Sequence, residues 1–198
     1  MLLTMICVNF YGGAGVGKST LAAMVFAALK IKGIRCDLVG EFAKELVYDR
    51  AYNIMSDQPY LFAEQAHRMT RMKKYGVQVA ICDSPLLLTM AYNPNPNNGR
   101  FNALVEETYK DYDNMDYFLL RNEEFWKKDK RSGDITRATQ MDKKIRAILE
   151  SYDIETRDIY PGGYSLAESI ADEVEKAVKA KTWPSKGAPL ADEPWKVK

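Results

Sequence analysis

The sequence predicts an α/β fold in which a parallel sheet is covered by helices on both faces. Short apolar runs rich in strand formers alternate with stretches of helical spacing along the chain. The first run, residues 2–10, passes into a glycine-rich loop and then into a helix from Lys18 to about Lys32. The length of 198 residues suits one well-buried core rather than two independent domains.

The remaining elements continue the same alternation. Asp57 is a plausible N-cap for a long helix. Thr139 with Asp142, and Ser165 with Glu168, have the spacing of capping boxes and predict two further helix starts. Predicted strands cover residues 34–39, 77–82, 116–120 and, in part, 153–160, and predicted helices cover residues 41–52, 57–74, 101–112, 139–152 and 165–180.

Composition and charge limit the functions that the chain can have. The formal net charge is +1, whereas a dedicated duplex-binding protein usually carries a clear basic excess. The balance therefore favours a small-molecule partner. Cys7, Cys36 and Cys82 lie in apolar runs and are expected to be free thiols in a reduced compartment. Because no run approaches the roughly 20 apolar residues of a membrane span, we expect a cytoplasmic protein that does not contact membranes.

The loop after the first strand has the spacing G-x-x-x-x-G-K-[ST]. Its glycines permit turns that aim backbone N–H groups at phosphate oxygens, and the next helix presents its positive end to the same anion. Lys18 is expected to reach the β- and γ-phosphates, and Ser19 to ligate Mg²⁺. The predicted nucleotide-binding residues are Gly12, Gly13, Ala14, Gly15, Val16, Gly17, Lys18, Ser19 and Thr20.

Two acidic residues follow strands at the edge where open parallel sheets bind ligands. Asp83 comes directly after the third strand, where P-loop proteins place an acid that holds Mg²⁺. The alternative for Asp83 is the N-cap of a helix that starts near Leu86. Glu41 lies two residues past the second strand and is a candidate general base for an acceptor hydroxyl. The alternative for Glu41 is an acid placed by the dipole of a first helical turn.

Further candidates lie on the long helix and in a charged segment. Gln65 could pair with a base edge and Arg68 could hold a phosphate or ribose, unless both belong to a solvated helix face. The segment from about residue 122 to 139 suits a mobile lid, and the alternative is an ordinary charged loop. Arg131 and Arg137 would then stabilise the charge of phosphoryl transfer, with Arg121 near the hinge.

These motifs together resemble a known family. The succession of four motifs is similar to that of the small P-loop nucleoside and nucleotide kinases. The motifs are the loop GGAGVGKST, then Glu41-Phe42-Ala43-Lys44, Glu64-Gln65-x-x-Arg68 and Asp83-Ser84-Pro85. The likeness is greatest to the AAA-like nucleotide kinases, which include the ribosylnicotinamide kinase domain and many phage-encoded proteins. It covers about residues 2–180, and residues 118–149 are similar to that group's lid.

The resemblance implies five parallel strands in the order 2-3-1-4-5, ATP as the phosphoryl donor and Mg²⁺ as the cofactor. It also implies that the acid after the second strand, here Glu41, meets the acceptor hydroxyl. Lys44 stands where the group often has arginine, and a substrate contact is implied there. Residues 93–99 and the tail have no clear counterpart in the group.

Three functions remain open from the sequence. The first is a kinase for a nucleoside, nucleotide or related small acceptor. The second is a kinase that acts on nucleic acid, at a 5′-hydroxyl end or a hydroxymethylated base, and the third is a P-loop ATPase or switch with a protein partner. We predict a kinase domain over residues 1–181 and, because of its prolines, an extended or disordered tail over residues 182–198.

Overall fold

The computed structural model describes residues 4–121, 134–181 and 183. Strands and helices alternate through most of this part of the chain. The elements in chain order are β1 Ile6–Tyr11, α1 Lys18–Ile31, β2 Cys36–Val39, α2 Phe42–Tyr48, α3 Gln58–Lys74, β3 Val79–Cys82, α4 Leu88–Tyr92, α5 Gly99–Lys110, β4 Asp113–Leu119, α6 Ile135–Ser151, β5 Arg157–Ile159 and α7 Tyr164–Lys179.

The five strands form one parallel sheet in the order β2-β3-β1-β4-β5. This confirms the predicted fold class and strand order. The central strand β1 is buried along its whole length and pairs with β3 on one side and with β4 on the other. Its carboxyl end therefore opens at the middle of the sheet edge, where the strand order reverses and ligands bind in folds of this type.

Alternate side chains of β1 enter two separate cores, because successive residues of a strand point to opposite faces. Val8 and Phe10 pack with α1 and α7 on one face. Cys7 and Tyr11 pack with α3, α4, α5 and α6 on the other. The sheet is thus covered on both faces, as the alternation of elements predicted.

A buried polar network lies below the loop that follows β1. The Asn9 side-chain amide donates to Asn114 Oδ1 and Asp116 Oδ1, at 2.9 Å each. The Tyr109 hydroxyl donates to Asp116 Oδ2 at 2.6 Å. Burial raises the pKa of Asp116 despite these hydrogen bonds. The network satisfies the side-chain N–H groups of Asn9, which is itself buried in the central strand.

The helix starts test three of the capping predictions. Asp57 caps α3 as predicted, because its side chain accepts from the Tyr60 N–H at 3.2 Å. Both predicted capping boxes are wrong. Helix α6 begins four residues before Thr139, with Asp134 as its N-cap, and α7 begins at Tyr164 after Gly163. The capping-box spacing thus predicted helix starts that are too late, because residues earlier in the chain, Asp134 and Gly163, are the N-caps.

Strand bounds differ from the prediction at their amino ends. β4 begins at Asp113, three residues earlier than predicted, because its polar start pairs in register with β1. β2 and β3 begin two residues later than predicted. All three cysteines are buried and free, as expected. Over the described residues, no helix is long and apolar enough to cross a membrane.

Candidate active site

The loop between β1 and α1 has the backbone conformation that its glycines permit. Gly12, Gly15 and Gly17 have φ angles of 134°, 74° and 100°, in the region that other residues rarely adopt. Gly17 is the N-cap of α1, and no described side chain occupies the capping position. Residues 14–20 line a cavity of about 670 Å³. The first turn of α1 therefore offers its unpaired N–H groups as an anion site.

Asp142 and Arg121 hold the opposite side of this loop. The Gly13 N–H donates to Asp142 Oδ1 at 2.5 Å, and Arg121 Nε donates to Asp142 Oδ2 at 2.7 Å. Arg121 Nη2 also donates to the Ala14 carbonyl at 3.1 Å. A Cβ on Gly13 would lie 2.8 Å from Asp142 Oδ1 and 2.9 Å from the Ala138 carbonyl. Gly13 is therefore required for this close approach of α6 to the loop.

Lys18 folds back over the loop from the start of α1. Its ammonium group donates to the carbonyls of Gly12 and Gly13, at 2.6 and 2.9 Å. Burial of the ammonium group lowers the pKa of Lys18 to about 8, and the nearby carboxylates of Glu41, Asp83 and Asp142 oppose this shift. The structure thus places the Lys18 charge at the carbonyls of the loop.

Four predicted site residues meet beside Lys18. The Lys44 ammonium donates to Ser19 Oγ at 2.7 Å and to Asp83 Oδ2 at 3.1 Å, and it lies 3.6 Å from Glu41 Oε2. Asp83 follows β3 and does not cap a helix, because α4 begins at Leu88 after Leu87. The alternative interpretation of Asp83 as a helix cap is therefore wrong. Glu41 is the N-cap residue of α2 and lines the same cavity.

The oxygen atoms beside Lys44 fit a magnesium ion. Asp83 Oδ1 is buried and has no hydrogen-bond partner among the described residues. Hydroxyl and carboxylate oxygens are the ligands that Mg²⁺ prefers, and it usually binds through one or two carboxylates together with substrate phosphates. Within residues 4–121, 134–181 and 183, no group of three or more His, Cys, Asp or Glu side chains forms a metal site by itself. The donor set therefore suits a metal ion that is shared with a nucleotide.

The same cavity also has an apolar region, whose side chains come mainly from α2, α3 and α4. Helix α2 packs on α3. The apolar side chains in this region are Phe42, Val47, Met55, Leu61, Leu88 and Tyr92, and the polar ones include Gln58, Gln65 and Thr89. An apolar pocket with a few polar groups is the usual form of a small-molecule site.

Gln65 and Arg68, both on α3, have different surroundings. Gln65 is buried, lines the cavity and donates from Nε2 to the Ser84 carbonyl at 3.0 Å. Arg68 does not line the cavity. It pairs with both Glu45 oxygens, at 2.8 and 2.9 Å, and with Glu64 at 2.9 Å. These hydrogen bonds raise the pKa of Arg68, and a substrate contact for it stays a prediction.

The predicted lid arginines are only partly covered by the structure. Arg137 lies in the first turn of α6, is exposed and does not line the cavity. Arg131 and the rest of the predicted lid up to residue 133 lie outside the described residues. Of the predicted tail, only Trp183 is described, and its indole N–H donates to the Val178 carbonyl at 2.8 Å.

Asp142 is the residue at the phosphate loop that the sequence analysis missed. It was interpreted as part of a capping box, whereas it receives the Gly13 N–H and pairs with Arg121. No local pattern around Asp142 indicates this contact, because its partners are 129 and 21 residues away in sequence. Arg121 was predicted to lie near the hinge of the lid, and in the structure it lines the cavity beside the loop.

The fold and the loop define a P-loop protein of the α/β class with a nucleotide and nucleoside kinase-like fold. A family model described as an AAA domain matches residues 7–165. The match spans more than half of the chain, and the protein therefore belongs to this AAA-domain family. No curated protein matches the chain.

Several solved structures share the fold. The NadR protein in complex with NR has 17% sequence identity and a TM-score of 0.61, over 92% of this chain and 53% of that chain. NadR in complex with NAD and AMP-PNP has 18% identity and a TM-score of 0.59, over 91% of this chain and 52% of that one. Thymidylate kinase from Ehrlichia chaffeensis has 14% identity and a TM-score of 0.53, over 88% and 100% of the two chains. The chain spans about half the length of the NadR structures.

Proposed function

We propose that the protein is an ATP- and Mg²⁺-dependent kinase that transfers the γ-phosphate to a nucleoside, a nucleotide or a related small acceptor. One observation carries the proposal. A single cavity contains the phosphate loop at one end and an apolar pocket at the other, with Glu41 among its lining residues. A kinase needs both ligands in one enclosed space, because direct transfer depends on positioning the acceptor hydroxyl against the phosphate.

The donor end would bind the triphosphate through its backbone and through Lys18. The N–H groups at the start of α1 and the positive φ angles of Gly15 and Gly17 suit an anion. The Lys18 ammonium lies at the carbonyls of Gly12 and Gly13. From there it is able to turn toward the phosphates, where its charge would oppose the charge that develops on the transferring group.

Ser19 and Asp83 would hold the metal ion. Mg²⁺, when bound, would neutralise negative charge on the phosphates. The buried oxygen Asp83 Oδ1 lacks a partner among the described residues and would gain one from such a cation. Ser19 contributes the hydroxyl from the first turn of α1.

Glu41 would act on the acceptor. Its carboxylate is able to take the proton from the attacking hydroxyl as the oxygen–phosphorus bond forms and the bond to the leaving phosphate breaks. Glu41 lies at the start of α2 and is 3.6 Å from the Lys44 ammonium. This position is beside the phosphate end and next to Phe42 of the apolar pocket.

The apolar end suits a flat ring of nucleobase size. Phe42 and Tyr92 offer aromatic surfaces, and Gln58, Gln65 and Thr89 provide polar groups. The structures that share this fold include NadR in complex with NR and a thymidylate kinase, which supports a nucleoside or nucleotide acceptor. Lys44 would contact the substrate at the boundary between the two ends, as the resemblance implied.

The test is a transfer assay with labelled ATP and Mg²⁺ against nucleosides, nucleoside monophosphates, ribosylnicotinamide and 5′-hydroxyl oligonucleotides. Glu41→Gln is compared with Glu107→Gln, an exposed residue on α5. We expect transfer to a small acceptor that Glu41→Gln slows by about 100-fold or more, with ATP binding retained and Glu107→Gln unchanged.

Other outcomes of the assay would contradict the proposal. Transfer only to oligonucleotides would replace the small acceptor with a nucleic-acid strand. Release of free phosphate with every acceptor tried, at a rate that Lys18→Ala abolishes, would indicate an ATPase. Unchanged transfer by Glu41→Gln would remove Glu41 as the general base.

A further inference from the structure

Lys44 lies at the centre of the oxygen atoms that suit a metal ion. Its ammonium group donates to Ser19 Oγ at 2.7 Å and to Asp83 Oδ2 at 3.1 Å. We call the oxygens of Ser19 and Asp83 the cation cradle. The Lys44 side chain is 27% exposed, and that of Asp83 is 9% exposed. The contact to Asp83 is therefore partly buried, where charges interact more strongly than on an open surface, whereas Ser19 is an exposed residue of the cavity wall.

The Lys44 ammonium and a divalent cation cannot both occupy this place. A metal ion that binds both Ser19 Oγ and Asp83 would lie about 2.0 to 2.1 Å from each oxygen. The ammonium group, which is 2.7 Å from Ser19 Oγ, would then be within about 5 Å of a doubly charged ion, and at this distance the repulsion is substantial even with the screening of a protein surface. Metal binding therefore favours withdrawal of Lys44, whether the ion meets the Asp83 oxygen that Lys44 contacts or the unpartnered Oδ1.

We infer that Lys44 and the divalent metal are alternative occupants of the cation cradle. Lys44 holds Ser19 and Asp83 together until a metal-bound nucleotide displaces it. The inference rests on the magnesium site of the proposed function and does not depend on the acceptor. The compact ammonium group on a flexible stem suits this exchange better than a planar guanidinium, because it donates to several oxygens from one point and withdraws easily.

The position of Lys44 on α2 also indicates where it goes. Glu41 Oε2 lies 3.6 Å from the ammonium group, and both residues belong to the start of α2. A displaced Lys44 therefore remains beside Glu41, at the boundary between the phosphate loop and the apolar pocket. There its charge would be available to a phosphate of the substrate, the contact proposed for Lys44 above.

The first test measures metal binding without nucleotide and needs no activity. Mn²⁺ is titrated into the full chain, and the free ion is counted by its EPR signal. Lys44→Met removes the competing charge, and Lys30→Met removes an exposed lysine at the other end of α1 as a matched control. We expect Lys44→Met to bind Mn²⁺ about tenfold more tightly than the wild type, and Lys30→Met to bind it as the wild type does.

Two further variants locate the effect. The gain in Mn²⁺ affinity should disappear when Asp83→Asn is added to Lys44→Met, because the cradle has then lost its carboxylate. Lys44→Gln keeps a hydrogen-bond donor without the charge, so it replaces Lys44→Met if that variant fails to fold, and it should show a gain in the same direction. A gain that survives Asp83→Asn would overturn the inference.

The second test measures binding of a fluorescent ATP analogue with Mg²⁺ and with EDTA. If Lys44 substitutes for the metal, the wild type should retain part of its affinity in EDTA. Lys44→Met should lose about tenfold more affinity on metal removal than the wild type does. Equal losses in the two proteins, or equal Mn²⁺ binding in the first test, would overturn the inference and leave the proposed kinase intact. Failure of every variant to bind Mn²⁺, even with nucleotide, would overturn the magnesium site itself.

Discussion

The two parts of the cavity that we propose bind the donor and the acceptor, called the phosphate end and the acceptor end, are built in different ways. The phosphate end consists mainly of one continuous segment, residues 14–20, whose conformation follows from glycines and a helix start. The acceptor end consists of side chains from α2, α3 and the segment after β3, which meet only because those elements pack together. A local motif thus specifies the donor site, whereas tertiary packing determines the shape of the acceptor pocket.

Replacement of Lys18 tests the phosphate end most severely. Lys18→Met removes the charge that lies at the loop carbonyls, while its length and apolar stem are nearly preserved. We expect phosphoryl transfer to fall by about 100-fold or more, and the affinity for ATP to fall with it. Steady-state kinetics and titration with an ATP analogue measure both. Lys30→Met is the control, and a Lys18→Met enzyme of near-normal rate would show that another cation serves the phosphates.

Replacement of Gly13 tests the backbone of the same end. A Cβ there would approach Asp142 Oδ1 and the Ala138 carbonyl to within 2.9 Å, so the loop and α6 would have to separate. We expect Gly13→Ala to weaken ATP binding by about tenfold or more and to lower the free energy of unfolding by about 1–3 kcal/mol. Isothermal titration and chemical denaturation measure the two effects.

The control for Gly13→Ala is Gly99→Ala. Gly99 is the first residue of α5, and an added Cβ there meets nothing within 4 Å. Its replacement should leave ATP binding unchanged. Equal behaviour of the two variants would mean that the close approach of α6 to the loop does not position the phosphates.

Much of the fold was predictable because its signals are local. The alternation of apolar runs and helical stretches predicted the sheet, and the glycine loop after β1 was placed correctly. Asp83 and Glu41 were expected at one edge of the sheet, and the structure brings both to the Lys44 ammonium. Strand ends in a parallel sheet share an edge, so this convergence follows from topology alone.

The missing parts depend on contacts between distant segments. Asp142 was assigned to a capping box, whereas it binds Gly13 and Arg121, and only the packing of α6 on the loop shows this. Arg68 was a candidate for holding a phosphate or ribose, a contact that stays a prediction, and in the structure it pairs with Glu45 and Glu64. The spacing of residues along a helix predicts which face a charged side chain lies on. Its contacts depend on which other helices pack against that face.

The contact between Asp142 and Arg121 links the phosphate end to α6, and Asp142→Asn tests it. The asparagine is still able to accept from the Gly13 N–H, but it cannot neutralise Arg121, whose side chain is only 7% exposed. We expect the free energy of unfolding to fall by about 3 kcal/mol, because an unpaired charge remains buried. The KM for ATP should rise severalfold.

The matched control for Asp142→Asn is Asp158→Asn. Its pair with Arg146 is much more exposed, so its loss should change the free energy of unfolding by less than about 1 kcal/mol. Equal destabilisation by the two substitutions, measured by denaturation in urea, would show that the Arg121 pair does not specifically stabilise the loop.

Gln65→Met addresses the acceptor end and should have the smallest effect. The change keeps the volume of a buried residue but removes the donor to the Ser84 carbonyl, which costs about 1–3 kcal/mol of the free energy of unfolding. Since Ser84 lines the pocket next to Asp83, we expect the KM for the acceptor to rise by about fivefold, with the KM for ATP unchanged. If only the KM for ATP changed, Gln65 would contribute to the phosphate end of the cavity and not to the acceptor end.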